Sequence, residues 1–297
     1  MFQNQLFLLY RKYSRKLTIL VATLMSLPLC VSASSRTEGG IEIVRLKPAA
    51  PVATPSALPN GIPEPPTYRE TSVPFRDGQK LIFQASWAGI PVATARVELH
   101  SKKKTPDRWS AEAWVETNKF ADVFYKMRDY LSEDLDHRSL ISRQMYIRQS
   151  ENKRLNDFKA DFDRHHGIVT LTKHNRKGQQ IKRFLSTNPW GPLSGAMMAL
   201  SMPMAPGDHY AFDVFTGSTR YIFDFKVGPR AKITTPLGTF DAYPVTPAVD
   251  YESDGKLSES ASGTVIWVSA DERRLPLRAE SQAFFGTVRA DLVEAGG

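Results

Sequence analysis

The sequence predicts a mainly β protein, built as one large curled antiparallel sheet (an open barrel, β-spiral or sandwich-like sheet) with one short buried helix. Beyond residue 75, apolar and polar residues alternate through most of the chain, which is typical of strands that cover a core on one face. Turn signals separate these strands roughly every eight to twelve residues. So many half-apolar strands must curl around a shared core, because a flat sheet would leave its apolar face in water.

The clearest strands are the first two, within residues 80–100, with a turn at residues 88–91. The inward-facing residues that we predict for this pair are Leu81, Phe83, Ala85, Trp87, Ala93, Ala95, Val97 and Leu99. Because alanine is small, Ala93 and Ala95 leave room on the inner face of the second strand. Either the helix further along the chain or a ligand would occupy that room.

The same alternation and the turns between apolar runs predict the later strands. They cover residues 109–117, 123–131, 140–149, 155–163, 168–174, 180–185, 210–216, 219–227, 230–235, 239–247, 263–269, 275–283 and 286–293. One segment breaks the pattern. Pro192–Ser201 opens with a proline, which suits the first turn of a helix, and ends before Pro203. Because this helix is apolar all round, we expect it to be buried against or inside the sheet.

Residues 1–33 have the pattern of a cleavable signal peptide for Sec-type export. Their basic residues, Arg11, Lys12, Arg15 and Lys16, precede an apolar run of residues 17–29 and a small-residue site that ends at Ala33. We predict cleavage near Ala33 and Ser34 and a periplasmic location; an uncleaved membrane anchor is the alternative. Cys30, the one cysteine, would leave with the leader, so the mature chain would form no disulfide.

The mature chain divides into a linker, a domain and a short tail. Residues 34–74 are predicted to form a flexible linker, since eight prolines lie between positions 48 and 74 and proline cannot donate to a sheet ladder. The β domain would span residues 75–294, with residues 295–297 as a tail. Removal of the four basic residues of the signal peptide lowers the formal net charge from +8 to +8 − 4 = +4. This small positive net charge does not indicate a nucleic-acid partner.

Side chains on the predicted inner face are candidates for lining a ligand pocket. They are Trp87, Ala93, Ala95, Phe124, Met198, Phe223, Phe225 and Trp267. Core packing is the alternative for each of them, and also for the methionine group at positions 197, 198, 202 and 204, which could otherwise bind Cu(I).

Chemistry-bearing residues are few. Asp161, Asp163 and His165 would share one face of a strand and form a weak candidate metal site, although the same residues suit a polar hairpin turn. Ser194 does not lie in a G-x-S-x-G pattern, because the preceding glycine is one residue too far away. We therefore predict no catalytic residue, no metal and no cofactor.

Several short motifs together resemble the DUF3108 family of exported bacterial proteins. They are SWAGIP at 86–91, FYKMRD at 124–129, PLS at 192–194, TPLGTF at 235–240, IWVSAD at 266–271 and FGTV at 285–288. One departure is that Gly191 stands where the resemblance leads us to expect an acidic residue before Pro192. The resemblance implies no established activity, and it implies a curled open sheet like that of periplasmic lipoprotein carriers.

These observations favour a non-enzymatic, soluble periplasmic protein whose sheet encloses an apolar groove for a lipid, an acyl chain or a lipophilic segment of a partner. Any contact with the membrane would be peripheral. One alternative is an envelope hydrolase that acts on glycan or peptide around Asp161, Asp163 and His165. Another is a scaffold that binds an envelope protein through a sheet edge or the proline tract. The sequence leaves the oligomeric state open.

Overall fold

The computed structural model describes residues 74–102, 105, 107–163, 165–166, 168–185, 190–215, 220–253, 256–260, 263–283 and 286–297. The predicted signal peptide and all of the predicted linker except Pro74 lie outside the described residues. Within the described part, no helix is long and apolar enough to cross a membrane.

Sixteen strands and two helices make up the described part of the chain. The strands are β1 Lys80–Trp87, β2 Ile90–Ser101, β3 Arg108–Thr117, β4 Arg128–Asp136, β5 Ser142–Glu151, β6 Arg154–Asp163, β7 Ile168–Asn175, β8 Gly178–Leu185, β9 His209–Phe215, β10 Arg220–Val227, β11 Ala231–Thr235, β12 Gly238–Ser253, β13 Lys256–Ser260, β14 Thr264–Ser269, β15 Pro276–Ala283 and β16 Gly286–Gly296. The helices are α1 Lys119–Asp122 and α2 Pro192–Ser201.

All the strands belong to one antiparallel sheet, which confirms the predicted fold class. The order is β8-β7-β6-β5-β4-β3-β2-β1-β16-β15-β14-β12-β10-β9, and β11 and β13 both pair with β12. The sheet does not close on itself, so β8 and β9 are its two edges. The chain between these edges carries α2, and Trp190 just before the helix forms a parallel bridge with Val214 on β9.

Helix α2 lies inside the curl of the sheet. It contacts the neighbouring strands β3 and β4 and also the edge strand β9. Because β9 is far from β3 and β4 in the strand order, the sheet must wrap around the helix to reach it from both sides. Both bounds of the helix agree with the prediction. The core beside it is aromatic and aliphatic, with Phe83, Leu135, Phe212 and Leu277 fully buried.

The strand predicted at residues 123–131 is correct only from Arg128 onwards, where β4 begins. Asn118 ends the extended stretch of β3, because its side-chain Oδ1 accepts the backbone N–H of Ala121 at 2.8 Å and starts α1. The chain then turns outward, and Val123 and Phe124 are 78% and 62% exposed. The first part of the apolar run is therefore an exposed surface, whereas Met127 and Leu131, before and within β4, are buried.

Other elements depart from the prediction at their ends. β13 was not predicted, and the residues expected to form a tail continue β16, since Ala295 and Gly296 pair with Leu81 and Lys80. A β-bulge in β2 leaves Val92 without a partner on β1. The bulge is why Val92 and Ala93, neighbours in sequence, are both buried.

Candidate functional site

An apolar pocket opens beside α2 at the end of the sheet where β1 begins. Its cavity volume is about 70 Å³. The helix contributes Leu193, Ala196, Met197 and Leu200, which form a single stripe at helical spacing. Leu81, Phe83 and Leu99 from β1 and β2 form much of the opposite wall.

The turn between β14 and β15 supplies two arginines of the pocket wall, Arg273 and Arg274, and β2 supplies one carboxylate, Glu98. Arg273 is paired, because its Nη2 lies 2.6 Å from Oδ2 of Asp271. Arg274 differs in two respects. Its backbone φ is +49°, an uncommon value for a residue other than glycine, and its Nη1 is buried without a hydrogen-bond partner.

Glu133 on β4 is buried at the start of α2 and was missed in the sequence. Its Oε1 accepts the backbone N–H of Leu193 at 2.6 Å, and its Oε2 accepts that of Ser194 at 3.1 Å. The hydroxyl of Ser142 donates to Oε2 at 2.9 Å. The carboxylate therefore satisfies helix N–H groups that have no partner within the helix. A carboxylate is also favourable at a helix N-terminus, which carries partial positive charge.

Gly191 explains the departure from the DUF3108-like pattern. A Cβ at this position would lie 2.6 Å from the carboxylate of Glu133, so no side chain fits there while Glu133 caps the helix. The acid that the resemblance places next to Pro192 is thus supplied by a strand distant in sequence. Burial raises the pKa of Glu133, although the bonds from Leu193, Ser194 and Ser142 act in the opposite direction.

The Ser142, Ser194 and Glu133 side chains form a buried hydrogen-bonded group at the start of α2. The two hydroxyl oxygens are 2.7 Å apart, and Ser194 and Ser142 are both 0% exposed. A substrate could not reach either hydroxyl. The hydrogen bonds fasten α2 to the sheet.

The predicted pocket-lining residues lie elsewhere. Trp87 and Phe124 are exposed on the surface, whereas Ala93, Ala95, Met198, Phe223 and Phe225 are buried in the core and Trp267 packs against it. None of the eight lines the pocket beside α2. The four clustered methionines are all buried, and among them Met197 lines the pocket.

The weak metal candidates form a hairpin turn. Oδ1 of Asp163 accepts the backbone N–H groups of His165 and His166 at 3.1 and 3.2 Å, and its Oδ2 lies 2.7 Å from Nδ1 of His166. Asp161 accepts a hydrogen bond from Gln144 at 2.8 Å. In the described part of the chain, no group of three or more His, Cys, Asp or Glu side chains could hold a metal ion.

Besides Glu133, a pair of buried acidic residues was missed in the sequence. Asp129 on β4 and Glu151 at the end of β5 each have one buried carboxylate oxygen without a partner. Burial, and next the charge of Glu151, raise the pKa of Asp129 to about 7, and the backbone N–H of Ser150 opposes the shift. Burial also raises the pKa of Glu151. One proton on this pair would relieve the repulsion between the two charges.

A family model described as a protein of unknown function (DUF3108) matches residues 82–293. The chain belongs to the DUF3108 family. The match covers nearly all of the sheet, including Glu133, α2 and the turn with Arg274. The resemblance seen in the sequence is therefore confirmed. No curated protein matches this DUF3108 chain.

Solved structures resemble the DUF3108 chain at low identity. A β-barrel-like protein of the domain of unknown function DUF1849 from Brucella abortus is 10% identical, with a TM-score of 0.47, over 74% of this chain and 97% of that chain. A proposed exported protein with a YmcC-like fold from Bacteroides fragilis is 9% identical, with a TM-score of 0.31, over 78% and 100%. A proposed lipoprotein from Parabacteroides distasonis is 11% identical, with a TM-score of 0.31, over 77% and 99%.

Proposed function

We propose that this protein is a non-enzymatic binding protein of the bacterial cell envelope that accepts one lipophilic group in the pocket beside α2. The observation that carries the proposal is an apolar cavity lined in part by Arg274, a residue whose guanidinium Nη1 is buried without a hydrogen-bond partner. The export signal predicted for residues 1–33 and the proline-rich tract that follows support the location.

The volume of the pocket limits what can enter it. Pockets that enclose a drug-sized ligand have volumes of roughly 300–1,000 Å³, far above the 70 Å³ found beside α2. The interior on the other faces of α2 is filled by buried side chains such as Met198 and Phe212. We therefore narrow the expected ligand from a whole lipid to the end of an acyl chain or one apolar side chain of a partner.

Arg274 indicates the chemistry of the other end of the ligand. A buried donor without a partner costs roughly 1–3 kcal/mol, and more when the group is charged. Arginine also prefers a planar anion such as a carboxylate, or a phosphate, which it can bind through two nitrogens. An amphiphile with an apolar end against Ala196 and Leu200 and an anionic head at Arg274 would satisfy both parts of the site.

The proposal is tested by titrating the protein with octanoate and with octanol, followed by calorimetry. We expect octanoate to bind more tightly than octanol. Ala196→Leu, which fills the pocket, should weaken both, and Arg274→Gln should weaken octanoate alone. The matched controls are Ala205→Leu, at an exposed position, and Arg230→Gln, on an exposed arginine outside the pocket that pairs with Asp241. Absence of octanoate binding, or binding that Ala196→Leu leaves unchanged, would overturn the proposal.

A further inference from the structure

Five of the large hydrophobic side chains exposed in the described part of the chain lie together at one end of the sheet. We call this group the apolar tip; it consists of Trp87, Ile90, Phe120, Val123 and Phe124, exposed by 43, 52, 55, 78 and 62%. Exposed apolar residues are unremarkable when scattered singly, but a contiguous group marks an interaction surface.

Hydrogen bonds hold the two segments of the apolar tip side by side. The backbone N–H of Asn118 donates to the carbonyl of Val92 at 2.9 Å, and its Nδ2 donates to the carbonyl of Pro91 at 2.7 Å. The α1 segment is thus attached to the β1–β2 turn. The rings of Phe120 and Phe124 also pack edge to face, with centroids 5.8 Å apart.

The apolar tip is held outward by a polar network beneath it. Nη2 of Arg128 lies 2.6 Å from Oδ2 of Asp122 in α1, and Nη1 of Arg128 donates to the hydroxyl of Thr117 at 3.0 Å. That hydroxyl also accepts the backbone N–H of Met127 at 2.9 Å. The segment is fixed at both ends, so its phenylalanines do not fold back onto the sheet.

Positive charge surrounds the apolar tip. Lys119 and Lys126 are exposed within the same segment. Of the two carboxylates among residues 116–128, Asp122 is paired with Arg128, and Glu116 is exposed. The adjoining β5–β6 turn adds Lys153 and Arg154, and Asn152 of that turn accepts the backbone N–H of Lys126 at 2.9 Å.

We infer that the apolar tip docks the protein on the surface of an anionic lipid bilayer. Aromatic side chains next to lysines are typical of protein segments that insert into the interface between lipid headgroups and acyl chains. Each Lys or Arg near an anionic surface adds attraction that salt weakens. The residues of the tip lie where β1 ends and β2 begins and along the α1 segment, and they are exposed together, so they suit insertion into a soft surface better than capture of a peptide.

This docking surface is separate from the pocket. Trp87 lies at the end of β1, four residues beyond Phe83, the nearest pocket residue on that strand, which places the two roughly 13 Å apart at about 3.3 Å per residue. The inference therefore does not depend on the proposed ligand of the pocket.

The test is co-sedimentation of the exported protein with vesicles of phosphatidylglycerol and phosphatidylethanolamine, and with vesicles of phosphatidylcholine alone. We expect binding to the anionic vesicles that is weakened at high salt. The double variant Phe120→Ser with Phe124→Ser should reduce the partition constant at least about tenfold. Lys119→Glu with Lys126→Glu should reduce it by a similar factor at low salt and less at high salt.

Leu237→Ser is the matched control, because Leu237 is an exposed apolar residue in the turn between β11 and β12, at the pocket end of the sheet. It should leave vesicle binding unchanged. An equal loss in this variant would show non-specific adsorption and overturn the inference. Absence of vesicle binding, or binding that no variant of the tip weakens, would overturn it too. Capture of an envelope protein through Phe120 and Phe124, without vesicle binding, would show a protein partner in place of the bilayer.

Discussion

The carboxylate of Glu133 on β4 accepts the backbone N–H of Leu193 in the first turn of α2, at 2.6 Å and across 60 residues of sequence. The first turn of α2 has no acidic residue of its own. The negative charge that stabilises its N-terminus is therefore provided by Glu133 of the sheet. The same bond holds the helix in position, and four residues of that helix line the pocket. Glu133 therefore links the strand, the helix and the pocket.

Removing this carboxylate should destabilise the protein severely. Glu133→Ala leaves the buried N–H groups of Leu193 and Ser194 and the hydroxyl of Ser142 without their acceptor. We expect the free energy of unfolding to fall by about 3 to 5 kcal/mol, the usual cost of removing one partner from a buried charged network. Urea denaturation measures the change. Glu116→Ala, at an exposed carboxylate, is the control, and a loss for Glu133→Ala no larger than in the control would contradict the structural role.

An aspartate at position 191, just before α2, should take over part of the capping role of Glu133 on β4. Gly191→Asp alone should destabilise the protein, because its Cβ would lie 2.6 Å from the carboxylate of Glu133. Combined with Glu133→Ala, the same change should restore part of the lost stability, since Asp is a favourable residue at the start of a helix. A double-mutant cycle measures the coupling, expected at roughly 1 to 3 kcal/mol in favour of the double variant. Additive losses would show that the two positions are independent.

The sequence predicted the fold class and α2 because both depend on local signals. Strand alternation is visible in single segments, and Pro192 and Pro203 delimit the helix directly. The cap was missed because a contact between Glu133 and Leu193 has no local signature. One signal was available in the sequence. Every second residue of β4 is buried, and these residues are Asp129, Leu131, Glu133 and Leu135. Two carboxylates therefore lie on the buried face of this strand.

The surface of the domain was harder to predict than its core. Periodicity cannot distinguish an apolar residue that faces the interior from one that faces a bilayer or a partner, so Trp87 and Phe124 were assigned to the inside.

The pocket was missed for a different reason. Its wall combines β1, β2, α2 and the turn with Arg274, and only the curling of the sheet around α2 brings these segments together.

The α1 segment should become more mobile when Asn118 is replaced. Asn118→Ala removes the cap on Ala121 and the bond to the carbonyl of Pro91, and loss of a helix cap costs about 1 kcal/mol. Hydrogen exchange should therefore accelerate at the Ala121 amide and leave the amides of the core strands unchanged. Asn175→Ala, which removes a similar turn contact to the Lys177 amide, is the control and should not affect Ala121. Unchanged exchange at Ala121 would show that the segment is held by other contacts.

Stability should decrease as the pH rises from mildly acidic to neutral values, because Asp129 retains its proton in the folded state. Its pKa is about 7 in the fold, against a usual value of 3.8. Between these two values the folded chain binds more protons than the unfolded chain, so the free energy of unfolding falls with increasing pH. The contribution is fully present below the unfolded pKa and is lost as the pH passes through 7. Its upper limit is about 4 kcal/mol, at 1.36 kcal/mol per pKa unit.

The Asp129→Asn variant isolates this contribution from those of Glu133 and Glu151, whose pKa values burial also raises. Asparagine keeps an oxygen that can accept the backbone N–H of Ser150, now 2.9 Å from Asp129 Oδ1, and it carries no charge at any pH. Urea unfolding at about pH 4.5 and about pH 8 measures the free energy of unfolding at the two pH values. Between them this free energy should fall less in the variant than in the wild type, and at the higher pH the variant should be the more stable of the two. Asp161→Asn, at an exposed carboxylate, should leave the decrease as it is in the wild type. If the free energy of unfolding fell equally with pH in the wild type and in Asp129→Asn, Asp129 would be ionised in the fold. A bound cation or a rearrangement of the β4–β5 end would then have to offset the repulsion between Asp129 and Glu151.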